Sequence, residues 1–307
     1  MSVCCRLLGF SPRNTRPWVM ILSIITINRN NAAGLEKTMT SVLAQTYTGF
    51  EYVVVDGAST DGSVDVIRRL APQFGDRIKW VSEPDKGIYN AMNKGMRMAT
   101  GDYFQILNSS DCLASHDVTG RMLTELQRHG YPGILYGNMV KCFPDGRKFV
   151  VRGSSGHPIT MLDMYTGTVD HDPTYIRSDL FRKYGEYDER LKIVSDWKWF
   201  YKAIIEGREK PQYADIDVTL FDMTGISETN LSLRAEEKRE ALRELVNPAI
   251  LADYDAWATS IDQMRRLKRS PIVYKIVWFL ERCLFKMEKA KKNRDIRHDT
   301  KRYQQCC

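Results

Sequence analysis

Five short segments of this 307-residue chain set carboxylates among hydroxyl, amide and glycine residues. Nucleotide binding, divalent-cation binding and proton transfer all need such combinations. In Asp56-Gly57-Ala58-Ser59-Thr60-Asp61-Gly62-Ser63, Asp56 can accept hydrogen bonds from a base or ribose, and the glycines let backbone approach a ligand. The same residues also suit a tight turn, and there Asp61 is assigned to capping the next helix. Glu83-Pro84-Asp85-Lys86-Gly87 is compatible with a plain solvated turn. Asn108-Ser109-Ser110-Asp111 offers one hard oxygen ligand for a divalent ion bridging a diphosphate, or a carboxylate capping the following helix. His171, within Val169-Asp170-His171-Asp172-Pro173, can orient a substrate or phosphate, or merely stabilise a turn. Asp196, within Val194-Ser195-Asp196-Trp197, is either a helix-initiating carboxylate with Ser195 as cap or a general base that takes a proton from a bound hydroxyl.

These segments must be brought together by a scaffold, and the intervening sequence describes one. Order is expected from Pro17-Trp18, because Val19 to Ile27 is a continuous apolar, β-branched run, the mark of a strand buried on both faces. Leu35, Met39, Val42, Leu43 and Thr46 recur at helical spacing, and Tyr52 to Val55 forms a second buried strand that ends at Asp56. A helix from about Ser63 to Phe74 and a short strand at Lys79 to Val81 follow. Ile88, Ala91, Met92, Gly95, Met96 and Ala99 then lie on one helical face, closed by Gly101 as C-cap, before a strand at Tyr103 to Leu107. This alternation predicts a mostly parallel sheet with helices on both faces, and ligands gathered at the carboxyl ends of its strands. Beyond a helix near 116–129, Pro144-Asp145-Gly146 signals a hairpin and the sheet is expected to turn mixed. Helices are expected near Ser178–Tyr184 and Ser195–Glu206, a strand near Asp217–Met223, and helical sequence from about Glu228 onward.

Composition narrows the class. With 43% hydrophobic and 27% charged residues, the chain is neither collagen-like nor wholly disordered. Its net charge of +7 is concentrated at one end: residues 264–307 hold 14 Lys+Arg against 4 Asp+Glu, so the preceding body is mildly acidic. A nucleic-acid partner is therefore not expected for the main domain. Seven scattered cysteines with no C-x-x-C pair point to a reducing compartment, and no stretch has signal-peptide or membrane-spanning character. The expected location is cytoplasmic.

Taken in order, the segments resemble the family 2 glycosyltransferases, inverting enzymes with a GT-A fold. The resemblance covers about Val19 to Leu245 and rests on six stretches in register: Ser23-Ile24-Ile25-Thr26, Ser41 to Thr46, Val54 to Gly62, Asp85 to Gly95, Ala99 to Tyr103 and Leu107 to Asp111. It implies an α/β fold with a mixed, mostly parallel Rossmann-like sheet, helices on both faces and a helical, basic C-terminal extension. It further implies nucleotide binding by Thr26, Asn28, Asp56, Asp85 and Gly87, with Asp56 on the nucleobase. Asp111 would hold Mn2+ or Mg2+, and Asp196 would be the base. His171, Ser110 and Trp197 would face the acceptor and diphosphate, and Gly225-Ile226-Ser227 matches a family element ahead of the last helices.

One departure is visible. The family's metal motif usually offers two acidic positions, whereas here Ser110 precedes a single Asp111. The implied reaction moves a sugar from a nucleotide-diphosphate donor to a hydroxyl, on a glycan or lipid-linked acceptor, in surface polysaccharide assembly. Because the diphosphate leaves readily once a metal neutralises it, one protein base is enough. The alternatives are a catalytically impaired nucleotide-binding or scaffold relative and a sugar-phosphate nucleotidyltransferase. The second calls for a Gly-rich loop after the first strand, where this chain has Thr26-Ile27-Asn28-Arg29-Asn30-Asn31.

The basic end carries its own pattern. Ile272, Val273, Ile276, Val277, Leu280, Leu284 and Met287 fall at helical spacing beside Lys275, Arg282, Lys286 and Lys289, with Trp278, Phe279 and Phe285 widening the apolar face. Such a helix over 272–289 suits the surface of an anionic membrane, or packing against the main domain. The expected organisation is a disordered 1–17, a transferase domain at 18–227, a helical part at 228–264 and a basic amphipathic helix and tail at 265–307.

Overall fold

The structure, a computed structural model, describes residues 21–153, 157–268 and 270–304. The expectations for 1–17, and for the start of the first strand at Val19-Met20, lie outside the described residues.

The first half alternates strand and helix: β1 (Leu22–Asn28), α1 (Ala32–Leu43), β2 (Phe50–Asp56), α2 (Ser63–Phe74), β3 (Ile78–Ser82), α3 (Ile88–Met98) and β4 (Tyr103–Ile106). The second half runs β5 (Cys112–Leu113), α4 (Val118–Arg128), β6 (Ile134–Cys142), β7 (Lys148–Val151), α5 (Met161–Thr166), β8 (Thr174–Arg177), α6 (Asp179–Tyr184), α7 (Ser195–Tyr201), β9 (Gln212–Asp222), α8 (Ile226–Thr229) and α9 (Leu231–Leu245). Among the described residues these strands form one sheet in the order β3-β2-β1-β4-β8-β6-β9-β5, with β7 paired to β6. β3, β2, β1 and β4 are parallel. The sheet turns mixed at β4, which meets β8 antiparallel.

Every residue of β1 is buried, as expected of a strand covered on both faces. Leu22 and Ile24 point to the side packed by Leu35, Met39 and Val42 of α1 and Ile67 and Leu70 of α2. Ile25, on the opposite face, points to α3, where Gly95 lies so close that a Cβ would stand 2.4 Å from Ile25 Cγ2. The glycine therefore lets this helix settle directly on the sheet.

Local expectations mostly match, and the differences have local causes. α3 ends at an extended Ala99, not at Gly101. Gly101 instead lies against β1, where a Cβ would meet Ile21 O at 2.8 Å. β9 starts at Gln212, not Asp217, because Ala214, Ile216 and Val218 alternate inward past exposed Asp215 and Asp217. The helix expected over 195–206 is α-helical to Tyr201 and continues as a π turn over Lys202–Glu206.

The chain divides into two compact units, one running to Glu244 and one from Leu245. The first thus takes in α8 and most of α9, beyond the boundary expected at 227. The second contains α10 (Pro248–Lys268) and α11 (Pro271–Gln304). On α11, Ile272, Ile276, Leu280, Leu284, Phe285 and Met287 are exposed. No helix among the described residues is long and apolar enough to cross a membrane.

Candidate active site

The carboxyl ends of β1 and β4 open onto a cleft of about 980 Å3. Asn28, Asp85, Gly87, Ser110, Asp111, His171, Asp196 and Trp197 all line it, as do the residues of the Gly225-Ile226-Ser227 element. Thr26 and Asp56 do not. Thr26 lies inside the sheet, where its hydroxyl accepts a hydrogen bond from Tyr52 at 3.0 Å.

Asp56 is fully buried. Its Oδ1 accepts from Asn28 Nδ2 at 2.8 Å and Ser59 Oγ at 2.6 Å, and its Oδ2 from Ser59 N at 2.9 Å and Ser82 Oγ at 2.7 Å. Burial alone would raise its pKa, but these hydrogen bonds bring it below the usual carboxylate range. All four of these hydrogen bonds come from the chain itself, and Asp56 is not among the residues that line the cleft. The N-cap of α2 is Gly62 and not Asp61 as expected, although Asp61 Oδ1 accepts from Ser63 N at 3.1 Å at the start of the helix.

Asp85 is reached through a close approach. Its Oδ1 accepts from Gly87 N at 3.0 Å and stands 3.8 Å from Arg29 Nη1. A Cβ on Gly57 would fall 2.2 Å from Asp85 Oδ2, so only glycine admits this carboxylate. Gly87, at φ +134°, adopts backbone that other residues rarely take.

The Asn108–Asp111 loop is held by α1. Thr38 Oγ1 donates to Asp111 O at 2.7 Å and accepts from Ser110 N at 3.0 Å. Asp111 does not cap a helix: its Oδ1 accepts from Asp222 N at 2.8 Å, and β5 follows it. Burial, and then Asp172 facing it, push Asp111 well above the usual carboxylate range.

His171 and Asp196 meet across 25 positions of sequence. His171 Nδ1 lies 2.7 Å from Asp196 Oδ2, while Tyr89 OH lies 2.9 Å from Asp196 Oδ1 and 2.6 Å from Ile193 O. Burial opposes a charged imidazole, yet Asp172, Asp196 and Asp111 together raise His171 to about 10, so it is an imidazolium at neutral pH. Both ring nitrogens then donate. Asn108 Nδ2 lies 3.1 Å from Nε2, and Asn108 Oδ1 is buried without a hydrogen-bond partner; turning the amide over would bring that oxygen to the imidazolium. Asp196 is lowered: burial works against ionisation, and the His171 hydrogen bond and charge outweigh it. Asp170 rises to about 7, by burial and then by Asp172. Ser195 is not the cap of α7, since its Oγ is buried without a hydrogen-bond partner.

Several residues of this site were not singled out from sequence. On α9, Leu231, Arg234, Ala235 and Lys238 line the cleft, at the i, i+3, i+4, i+7 spacing that could have found them. Lys238 Nζ donates to Gly167 O at 2.6 Å and lies 5.1 Å from the Trp197 ring centroid. Burial, and then Arg234, push Lys238 down to about 8. Glu237, on another face of α9, accepts the backbone N–H groups of Lys192, Ile193 and Val194 at 2.8, 2.9 and 3.3 Å, fixing the approach to α7. No sequence pattern marks that contact. Trp197 Nε1 donates to Met164 O at 2.8 Å, tying α7 to α5.

Comparison with known proteins adds three findings. The profile described as Glycosyl transferase family 2 matches residues 23–184. A PGL/p-HBAD biosynthesis glycosyltransferase of Mycobacterium tuberculosis is 28% identical over 210 residues, 68% of this chain and 80% of that protein. Two solved structures share the fold. S. aureus TarS 1–349 in complex with UDP-GlcNAc has TM-score 0.54 and 19% identity, and the match spans 66% of this chain but only 58% of TarS 1–349. The mannosyltransferase PcManGT from Pyrobaculum calidifontis, in complex with GDP-Man and Mn2+, has TM-score 0.53 and 16% identity over 85% of this chain and 86% of that one.

Proposed function

The chain belongs to glycosyltransferase family 2 and is an enzyme of that class with a GT-A fold, and on that premise we propose how its cleft works. It takes a nucleoside-diphosphate sugar and transfers the sugar to an acceptor hydroxyl with inversion. The observation that supports this best is Asp196, ionised and fixed by Tyr89 and His171 at the wall of the cleft. Donors from His171, Tyr89 and the Trp197 backbone still leave this carboxylate a lone pair for the acceptor's proton. Asn28, Asp85 and Gly87 receive the nucleotide on the floor that Asp56 holds, and Arg234 and Lys238 bring positive charge towards the diphosphate.

The donor set also fits a hard divalent cation. Among the described residues no three His, Cys, Asp or Glu side chains form a ready-made cage. Mg2+ or Mn2+ at nucleotide sites is commonly held by one or two carboxylates, with phosphate oxygens and water completing the shell. Asp111 would be a protein ligand. Bound there, the ion would neutralise charge on the leaving diphosphate.

The acceptor reading is a lipid-linked glycan in surface polysaccharide assembly, met by a peripheral enzyme at the cytoplasmic face of a membrane. Its support is α11, where exposed Ile272, Ile276, Leu280, Leu284 and Met287 share a helical face beside Lys275, Arg282 and Lys286.

The test is thermal melting of the full chain against a panel of nucleoside diphosphates, each with and without Mn2+, followed by co-sedimentation with vesicles. Stabilisation by one nucleotide that grows with Mn2+ is expected, as is binding to anionic but not neutral vesicles. No response to any nucleotide, and no sugar transfer or donor hydrolysis above Asp196→Asn background, would replace this reading with that of a catalytically impaired relative.

A further inference from the structure

Asp172 has no part in the chemistry described so far. It is 2% exposed, and Gln105 Nε2 donates to its backbone oxygen at 2.9 Å, which fixes its place beside β4. Its carboxylate meets that of Asp111 within hydrogen-bonding reach. Asp172 Oδ1 is buried and has no hydrogen-bond partner, although His171 Nε2 stands 3.4 Å away. Two buried carboxylates in contact repel unless a proton or a cation lies between them. An unpartnered buried oxygen is costly as well. The loop beside Asp111 offers no second acid, because Ser110 presents a hydroxyl that already accepts from Asn31 Nδ2 at 2.9 Å.

We propose that Asp172 is the second carboxylate ligand of the divalent cation, so that the ion is clamped between Asp111 at the end of β4 and Asp172 at the entry to β8. The unpartnered oxygen then gains a partner and the repulsion becomes shared attraction. Both residues line the cleft, which leaves the rest of the ion's shell to diphosphate oxygens and water. Asp170 and Asp196 deepen the negative field around the pair, and His171 is its nearest cationic neighbour. The inference deepens the transferase reading and rests on it for the ion's purpose.

Calorimetric titration of Mn2+ into the full chain, alone and again with UDP or GDP present, tests it in wild type, Asp111→Asn and Asp172→Asn. At least about tenfold weaker Mn2+ binding is expected in both variants. In EDTA, Asp172→Asn is expected to melt at or above the wild-type temperature, since it removes a repulsion. Loss of Mn2+ in Asp111→Asn with affinity kept within twofold in Asp172→Asn would overturn the inference and leave the transferase reading standing. Wild type that takes up no Mn2+ under any of these conditions would overturn both this inference and the metal part of that reading. If the variant folds poorly, electron–nuclear double resonance on wild type carrying 13C-carboxylate aspartate decides: two distinct couplings to Mn2+ support the clamp, and one overturns it.

Discussion

The two halves of the sheet treat buried charge in opposite ways. In the parallel half, Asp56 has four hydrogen bonds from Asn28, Ser59 and Ser82 and needs nothing further. In the mixed half, Asp111, Asp170, Asp172 and Asp196 crowd around one imidazolium, and an oxygen of Asp172 has no hydrogen bond, only the His171 imidazolium 3.4 Å away. The first arrangement stabilises the fold by itself. On the proposal above, a bound cation would offset the repulsion within the second.

That contrast can be broken by substitution. The largest effect is expected from Asp196→Asn, which keeps shape and loses the base: transfer should slow about a thousandfold, with little change in melting temperature. Radiolabelled sugar transfer measures the first and calorimetry the second. Asp56→Ala should act the other way round. It leaves buried donors unsatisfied and should cost about 3 kcal/mol of stability in denaturant unfolding. Equal destabilisation by Asp170→Asn would erase the distinction between the halves, since that change removes a carboxyl already disfavoured as an anion. Next, Glu237→Ala strips the partner from three backbone N–H groups ahead of α7 and should lower stability by about 2 kcal/mol, with kcat falling as Asp196 loses its bearing. Glu237→Gln should recover part of both.

The smallest effect sharpens the comparison through pH. Lys238 is depressed to about 8 in the fold, so its charge is lost as pH rises through that value, while the unfolded chain keeps it to about 10.5. Its contribution to stability therefore increases with pH between those values, because the unfolded state binds the extra proton. Donor binding should move oppositely, with KM rising above pH 8. In Lys238→Met, KM should start about tenfold higher at pH 7 and lose that alkaline limb, the size of one modest charged contact.

The parallel half was readable in the sequence because its signals are contiguous. β1 and β2 are rich in β-branched residues, α3 carries a clean apolar stripe, and Asp56, Asp85 and Asp111 stand at or just beyond strand ends. Even there, the direction of Asp56 was hidden: strand-end position does not say whether a carboxylate faces a ligand or its own neighbours. The other half depends on meetings over long separations. Asp111 and Asp172 come from loops ahead of different strands, β5 and β8, Glu237 reaches back 44 positions to Ile193 N, and Lys238 shares its helix with solvent-facing charges. Asp172 looks like any turn carboxylate until β4 and β8 are paired. Helical spacing alone could have pointed to the inward face of α9.

α3 has a further consequence. Gly87, which lines the nucleotide side of the cleft, directly precedes its first turn, and Tyr89, which donates to Asp196, lies within that turn. Asn93, one turn later, holds Tyr187 through both its amide groups. α3 therefore joins a cleft-lining glycine to a hydrogen-bond partner of Asp196, which itself stands on α7. On the transferase reading, a shift of α3 along its axis would disturb the nucleotide side and the support of Asp196 at once, so substitutions that loosen this helix should raise KM and lower kcat together.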